Sequence, residues 1–265
     1  MKYLSNAVNF TIKNWMLIIP VFAVMALATI IQGTGSAISL ATIASLADLD
    51  NLASFESLIK LVPTVLALTV AGGVVSFIGM FIYEPATFGL VNKGLETGNA
   101  ALTDLGTALS ANFVKYVLNL VGRFVVGLVL SIASLIIALI MGLLISLLKG
   151  FGIFLTVIVL LALVVFFIAF GALTSLWFPA MVVDGLDVVG AFKKSIEIVR
   201  TCFWTVFGIT LLVGVIASIA STILSFLGYI PVLGAIILSA IPAIQYFVMT
   251  TFSLMIYREK TGRAA

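Results

Sequence analysis

Residues 124–148 read FVVGLVLSIASLIIALIMGLLISLL, and after Lys149-Gly150-Phe151-Gly152 residues 153–177 resume as IFLTVIVLLALVVFFIAFGALTSLW. Neither stretch holds a charged side chain. At about 1.5 Å per residue, each is long enough to cross a hydrocarbon core of about 30 Å as a helix. The apolar residues run on without a break. A membrane β-barrel would instead alternate apolar and polar residues in strands of about ten. Backbone groups left unsatisfied in hydrocarbon cost several kcal/mol each, so the spans read as helices.

Four further runs flank this pair, at 15–40, 61–83, 203–226 and 235–257. The chain therefore reads as all-α: a polytopic transmembrane helix bundle of about six spans, with amphipathic interfacial helices on the cytoplasmic side. It forms a single transmembrane domain over 1–265, leaving almost nothing to fold as a water-soluble unit. Composition agrees, with 63% of residues apolar and 9% charged, against about 45–50% and 25% in soluble domains. The first run exceeds the 7–15 residues usual for a signal-peptide core, so it is expected to remain as a span.

The basic residues set the orientation. With the N-terminus inside, Lys2, Lys13, Lys93, Lys115, Arg123, Lys193, Lys194, Arg200, Arg258, Lys260 and Arg263 fall on the cytoplasmic side, and only Lys60 and Lys149 fall outside. An excess of lysine and arginine in short inner loops is the usual determinant of topology. Both termini are expected in the cytoplasm, and the chain in the cell (inner) membrane as a multi-pass protein.

Outer loops are short, apart from 41–60, where Asp48, Asp50 and Glu56 lie among leucines and a short surface helix is expected. The inner loops, 84–122 and 178–202, are longer. In the second, Val188, Phe192, Ile196, Val199 and Phe203 recur at helical spacing, with Lys194, Glu197 and Arg200 on the other face. Asp184 and Asp187 stand where helix N-caps belong. The two inner loops resemble each other: Tyr83-Glu84-Pro85-Ala86 closes one span and Trp177-Phe178-Pro179-Ala180 another, and Asp104 and Asp187 are each followed by an alanine-apolar pair. This is either a weak parallel repeat, about 61–148 and 153–257, or the chance likeness of two interfacial segments of biased composition.

Small residues recur every four positions at Ser134, Ala138, Gly142 and Ser146, and at Gly214, Ser218 and Thr222. Such stripes let helices approach closely. Packing within the bundle is the expected use, and a homodimer seam is the alternative. Gln245 follows Pro242 inside the last run and is a candidate bundle polar site, together with Glu84 at the inner end of the second run. Helix packing is the expected role of Gln245, since a transport path calls for several converging polar positions. All ten acidic residues fall in loops or at interfaces, which argues against proton-coupled transport. Lys193, Lys194 and Arg200 are candidate contacts to lipid head groups, beside their topological role.

Catalytic signatures are missing from the sequence. There is no histidine, a single cysteine (Cys202), no glycine-rich phosphate loop and no nucleophile elbow. No enzyme activity, cofactor or metal is expected, and with a formal charge of +3 no nucleic-acid partner.

The segment Trp177-Phe178-Pro179-Ala180-Met181-Val182-Val183-Asp184-Gly185, followed by Val189-Gly190-Ala191-Phe192-Lys193-Lys194-Ser195 and Phe203-Trp204, carries a family resemblance. It resembles uncharacterised prokaryotic six-helix membrane proteins related to the membrane domain of glycerophosphodiester phosphodiesterases. The resemblance covers the second half of the chain and implies an architecture and a lipid connection. The soluble catalytic domain of the fused relatives has no counterpart here, so esterase activity is not implied. The function expected is therefore a structural, accessory or lipid-interacting membrane component, with membrane lipids and a second copy or a partner membrane protein as its contacts. The alternative is a small transporter or permease with a path between the helix repeats.

Overall fold

The computed structural model describes the backbone of residues 2–45, 52–230 and 232–263, and the side chains of residues 2–33, 62–228, 230 and 232–263. Among these residues there is no strand. The helices are α1 (Lys2–Lys13), α2 (Ile19–Ser45), α3 (Leu52–Thr97), α4 (Leu105–Leu148), α5 (Gly150–Leu173), α6 (Trp177–Asp184), α7 (Val188–Leu224) and α8 (Leu233–Lys260). Six stretches are long and apolar enough to cross a membrane: Trp15–Gly33, Val62–Thr97, Leu102–Leu148, Gly150–Asp184, Val188–Gly228 and Leu233–Lys260. The molecule is a multi-pass helical membrane protein.

Several helices run further than the hydropathy pattern suggests. The expected turn at Tyr83-Glu84-Pro85-Ala86 is the interior of α3, which continues through both Pro63 and Pro85. An interior proline costs about 3 kcal/mol. Burial of Ala86, Phe88, Leu90 and Val91 just beyond Pro85 offsets that cost. Pro179, by contrast, falls in the first turn of α6, where its missing N–H leaves no intrahelical bond unmade. Of the surface helix expected at 41–60, residues 41–45 and 52–60 instead lengthen α2 and α3. Residues 46–51 lie outside the described residues, and so do the expectations for Asp48, Asp50 and Pro231.

Burial is concentrated at one end of the bundle, the polar end that carries both termini. The residues of α6 from Trp177 to Val182 are between 0% and 8% exposed, enclosed by α3, α4, α7 and α8. Phe88, Tyr116, Phe247, Phe252 and Tyr257 complete this core. The contrast with the apolar spans is a matter of solvent. Lipid competes with side chains for apolar contact, so helices in hydrocarbon gain little by burying Leu against Leu. At the polar end, where α3, α4, α7 and α8 close around α6, the buried residues form one packed core.

Packing within the apolar spans is uneven: α2 and α3 approach closely at Gly72 and Gly79, whereas no residue of the most apolar windows of α4 and α5 is buried. The stripe Ala138, Gly142 and Ser146 is exposed, and a Cβ at Gly142 would meet nothing within 4 Å. On α7, Ser218 and Thr222 are exposed too. Ser134 and Gly214, the first residue of each stripe, are half-buried, so the exposed remainder of each stripe is not packed within this chain. A different set of glycines makes the close approaches. A Cβ at Gly89 would sit 3.0 Å from the Ala108 carbonyl oxygen and 2.6 Å from Asn112 Nδ2, so α3 and α4 touch through it.

One amphipathic helix escaped the sequence pattern. α1 buries Ala7 and Thr11 against the bundle and exposes Val8 and Ile12, followed by Trp15. Such a helix suits the interface plane.

Candidate functional site

Among the described residues, several side-chain hydrogen bonds between distant parts of the chain converge on α6 and its flanks. The chain leaves α5 at Leu173, breaks over three residues and restarts at Trp177. Ser195, fully buried on α7, bridges that break: its hydroxyl donates to the Leu173 carbonyl at 2.8 Å and accepts from the Leu176 N–H at 3.1 Å. Trp177 Nε1 donates to the Val188 carbonyl at 2.8 Å. Gly185, at φ +65°, ends α6 in the left-handed conformation that glycine adopts freely.

Asp187 caps α7, accepting from the Gly190 N–H at 3.2 Å. Asp184 does not cap. It is the last residue of α6 and takes the Tyr257 hydroxyl on one oxygen and the Arg263 guanidinium on the other. Nearby, buried Arg258 donates to Asn92 Oδ1 at 2.9 Å, and Lys93 pairs with Asp104 at 2.8 Å. This belt ties α3, the start of α4, α6 and the C-terminal turn into one unit. Tyr3 fastens α1 to it, donating to Glu259 at 2.9 Å.

Glu84 has partners of its own. It lies near the Tyr116 hydroxyl and within electrostatic reach of Arg123. The Tyr83 and Tyr246 rings meet edge to face with centroids 5.3 Å apart. The hydroxyls of Tyr116 and Tyr246 are buried and make no hydrogen bond of good geometry. An unpaired buried hydroxyl costs about 1–3 kcal/mol, so this cluster carries unused polar capacity. Gln245 is half-buried. Among the described residues no hydrogen bond joins it to Glu84, so the structure brings Glu84 to tyrosines rather than to Gln245.

The candidate head-group contacts divide. Lys194 bonds both oxygens of Glu197, at 3.1 and 3.2 Å. Lys193 and Arg200 are exposed and lie seven positions apart, so they share one helix face; Trp204, beyond the break at Cys202, is 79% exposed. The helix then kinks at Cys202, whose φ of −137° separates the surface segment of α7 from its apolar span. Cys202 is half-buried, with its thiol on the Ile198 carbonyl.

Sequence reasoning missed Ser195, Asn92 and a polar pocket of about 250 Å³ between α3 and α4. That pocket is lined by Asn92, Lys93, Glu96, Asp104, Asn112 and Lys115. The serine does stand within the alanine-apolar-basic-basic-serine pattern, which was its one available signal. Asn92 and Arg258 are too far apart in sequence for any spacing rule to join them.

Six apolar helices closed at one end by a hydrogen-bonded core define a polytopic α-helical membrane protein. Residues 16–259 match the family described as Domain of unknown function (DUF7847), and the chain belongs to that family. No curated protein and no solved structure matches the chain.

Proposed function

We propose that this protein is a non-enzymatic, lipid-interacting accessory component of a prokaryotic cell (inner) membrane, with both termini and the polar end in the cytoplasm. The observation that carries the reading is the surface segment of α7, where exposed Lys193 and Arg200 share a face beside the core around α6, with exposed Trp204 just past the kink at Cys202. Basic residues near the surface attract anionic lipid, each contributing up to about 1 kcal/mol, and tryptophan favours the head-group level. The distribution of the 13 basic residues supports the orientation. The likeness of the 177–204 segment to the membrane domain of glycerophosphodiester phosphodiesterases supports the lipid connection, and no esterase role is assigned. A second copy or a partner membrane protein fits the exposed stripe of α4.

Purification of the full chain in mild detergent, followed by protein and lipid mass spectrometry, tests this reading. Retained phospholipid, or a stoichiometric partner protein, is the expected result. A bare monomer free of both would count against it.

A second reading, a small transporter, draws on Glu84 and the buried hydroxyls of Tyr116 and Tyr246. Under that reading, solute flux into proteoliposomes would fall sharply in Glu84→Gln.

A further inference from the structure

We infer that the groove between α4 and α5 at the polar end seats one two-chain phospholipid, with its phosphodiester on Arg123 and its acyl chains directed along the apolar spans. The inference deepens the lipid-interacting reading above and rests on it. The groove has a volume of about 320 Å³, enough for a phosphate group and the first part of the chains. Its mouth is polar, formed by Arg123, Thr174 and Ser175, and its walls are Leu130 and Phe170.

The chemistry at the mouth suits a phosphate. Among the described residues no carboxylate forms an ion pair with Arg123; Glu84 feels its charge without pairing. The Ser175 hydroxyl is buried and lacks a hydrogen-bond partner. Thr174 already donates to the Phe170 carbonyl at 3.0 Å, so Ser175 is the hydroxyl with a proton to offer. A guanidinium and a hydroxyl donor together match the acceptor oxygens of a phosphodiester.

The level is right for a lipid rather than a free anion. Arg123 precedes Leu148, the last residue of α4, by 25 positions, a rise of roughly 38 Å. That places the guanidinium just beyond a hydrocarbon core of about 30 Å. The walls below it continue into spans in whose most apolar windows no residue is buried.

Two glycines make the hollow. Gly127 and Gly171 line it, and a Cβ at either would meet nothing within 4 Å. Neither has a positive φ that would demand glycine. Glycine inside a helix is unfavourable by about 0.5–1 kcal/mol relative to alanine, and in exchange these two supply only space.

The test is native mass spectrometry of the full chain in mild detergent, titrated with phosphatidylglycerol and, separately, with diacylglycerol of the same chains. The wild type should bind one phosphatidylglycerol per chain and prefer it to diacylglycerol. Arg123→Gln should weaken phosphatidylglycerol by at least about fivefold, a loss on the scale of one basic contact, and leave diacylglycerol unchanged. Gly171→Leu should fill the groove and lose both lipids while keeping the wild-type melting temperature. Equal lipid binding by the wild type and both variants would overturn the site and leave the broader lipid-interacting reading intact. Lipid binding by none of the proteins would overturn both. Displacement of phosphatidylglycerol by millimolar inorganic phosphate would overturn the lipid as occupant.

Discussion

The Tyr257 hydroxyl donates to the Asp184 carboxylate, so the last helix of the chain closes on the end of the shortest and most deeply buried one. Arg263, in the terminal turn, occupies the other carboxylate oxygen. Under the proposed orientation two distant cytoplasm-facing elements anchor beside this contact, α1 to α8 through Tyr3 and Glu259 and the C-terminal turn to α6 through Arg263 and Asp184.

Removing the phenol should therefore loosen the whole polar end. A hydrogen bond to a charged acceptor contributes about 1.5–3 kcal/mol. Tyr257→Phe should lower the apparent melting temperature in detergent clearly. Arg263→Gln should lower it less, because the Arg263 side chain is 45% exposed and exposed pairs contribute about 0–1 kcal/mol.

The buried serine makes a sharper comparison. Ser195→Ala removes one side chain and leaves two backbone groups, the Leu173 carbonyl and the Leu176 N–H, without that partner. An orphaned buried group costs about 1–3 kcal/mol. Lys193→Ala, two positions earlier on the exposed face, should stay within about 0.5 kcal/mol of wild type. Thermal unfolding of the two variants side by side checks this, and an equal loss in both would contradict the bridging role.

Glycines on the two sides of α4's environment should respond in opposite directions. Gly89→Ala drives a methyl group against Ala108 and Asn112 and should destabilise by about 1–3 kcal/mol, the usual cost of overpacking. Gly142→Ala meets nothing and should be neutral or stabilise by up to about 1 kcal/mol through helix propensity. Their melting temperatures relative to wild type give the answer.

Docking of α1 should weaken in the alkaline range. Burial, and then the Glu259 carboxylate that accepts the Tyr3 hydroxyl, raise the Tyr3 phenol above its ordinary value, because each disfavours the phenolate. A pKa higher in the folded than in the unfolded state means that the stabilisation is complete below about pH 10 and lost as pH rises through the raised value. The difference between tyrosinate titrations of wild type and Tyr3→Phe should accordingly show a phenol ionising late.

Much of the fold was legible because hydrocarbon imposes a simple rule: a charge-free run of 25 residues such as 124–148 must be a helix, whatever its neighbours do. The termini of the helices were less legible. Pro85 and Pro179 look alike in sequence, but one sits where buried residues on both sides hold the helix together and the other where a helix begins. The site was least legible of all. Glu84 was found by its charge, yet its tyrosine neighbours come from α3, α4 and α8. Asp184 looked like a cap, whereas its partners lie 73 residues away at Tyr257 and beyond at Arg263. Periodicity records which face of one helix is apolar and carries nothing about contacts between helices.

The central claim is that the core around α6 faces the cytoplasm. It is tested most directly by thiol labelling of intact cells with a membrane-impermeant maleimide, in a Cys202→Ser background. A cysteine in place of Lys149, at the α4–α5 turn, should label from outside. A cysteine in place of Lys193, on the exposed face of α7, should label only after permeabilisation. Labelling of the Lys193 position in intact cells, with the Lys149 position protected, would contradict the account.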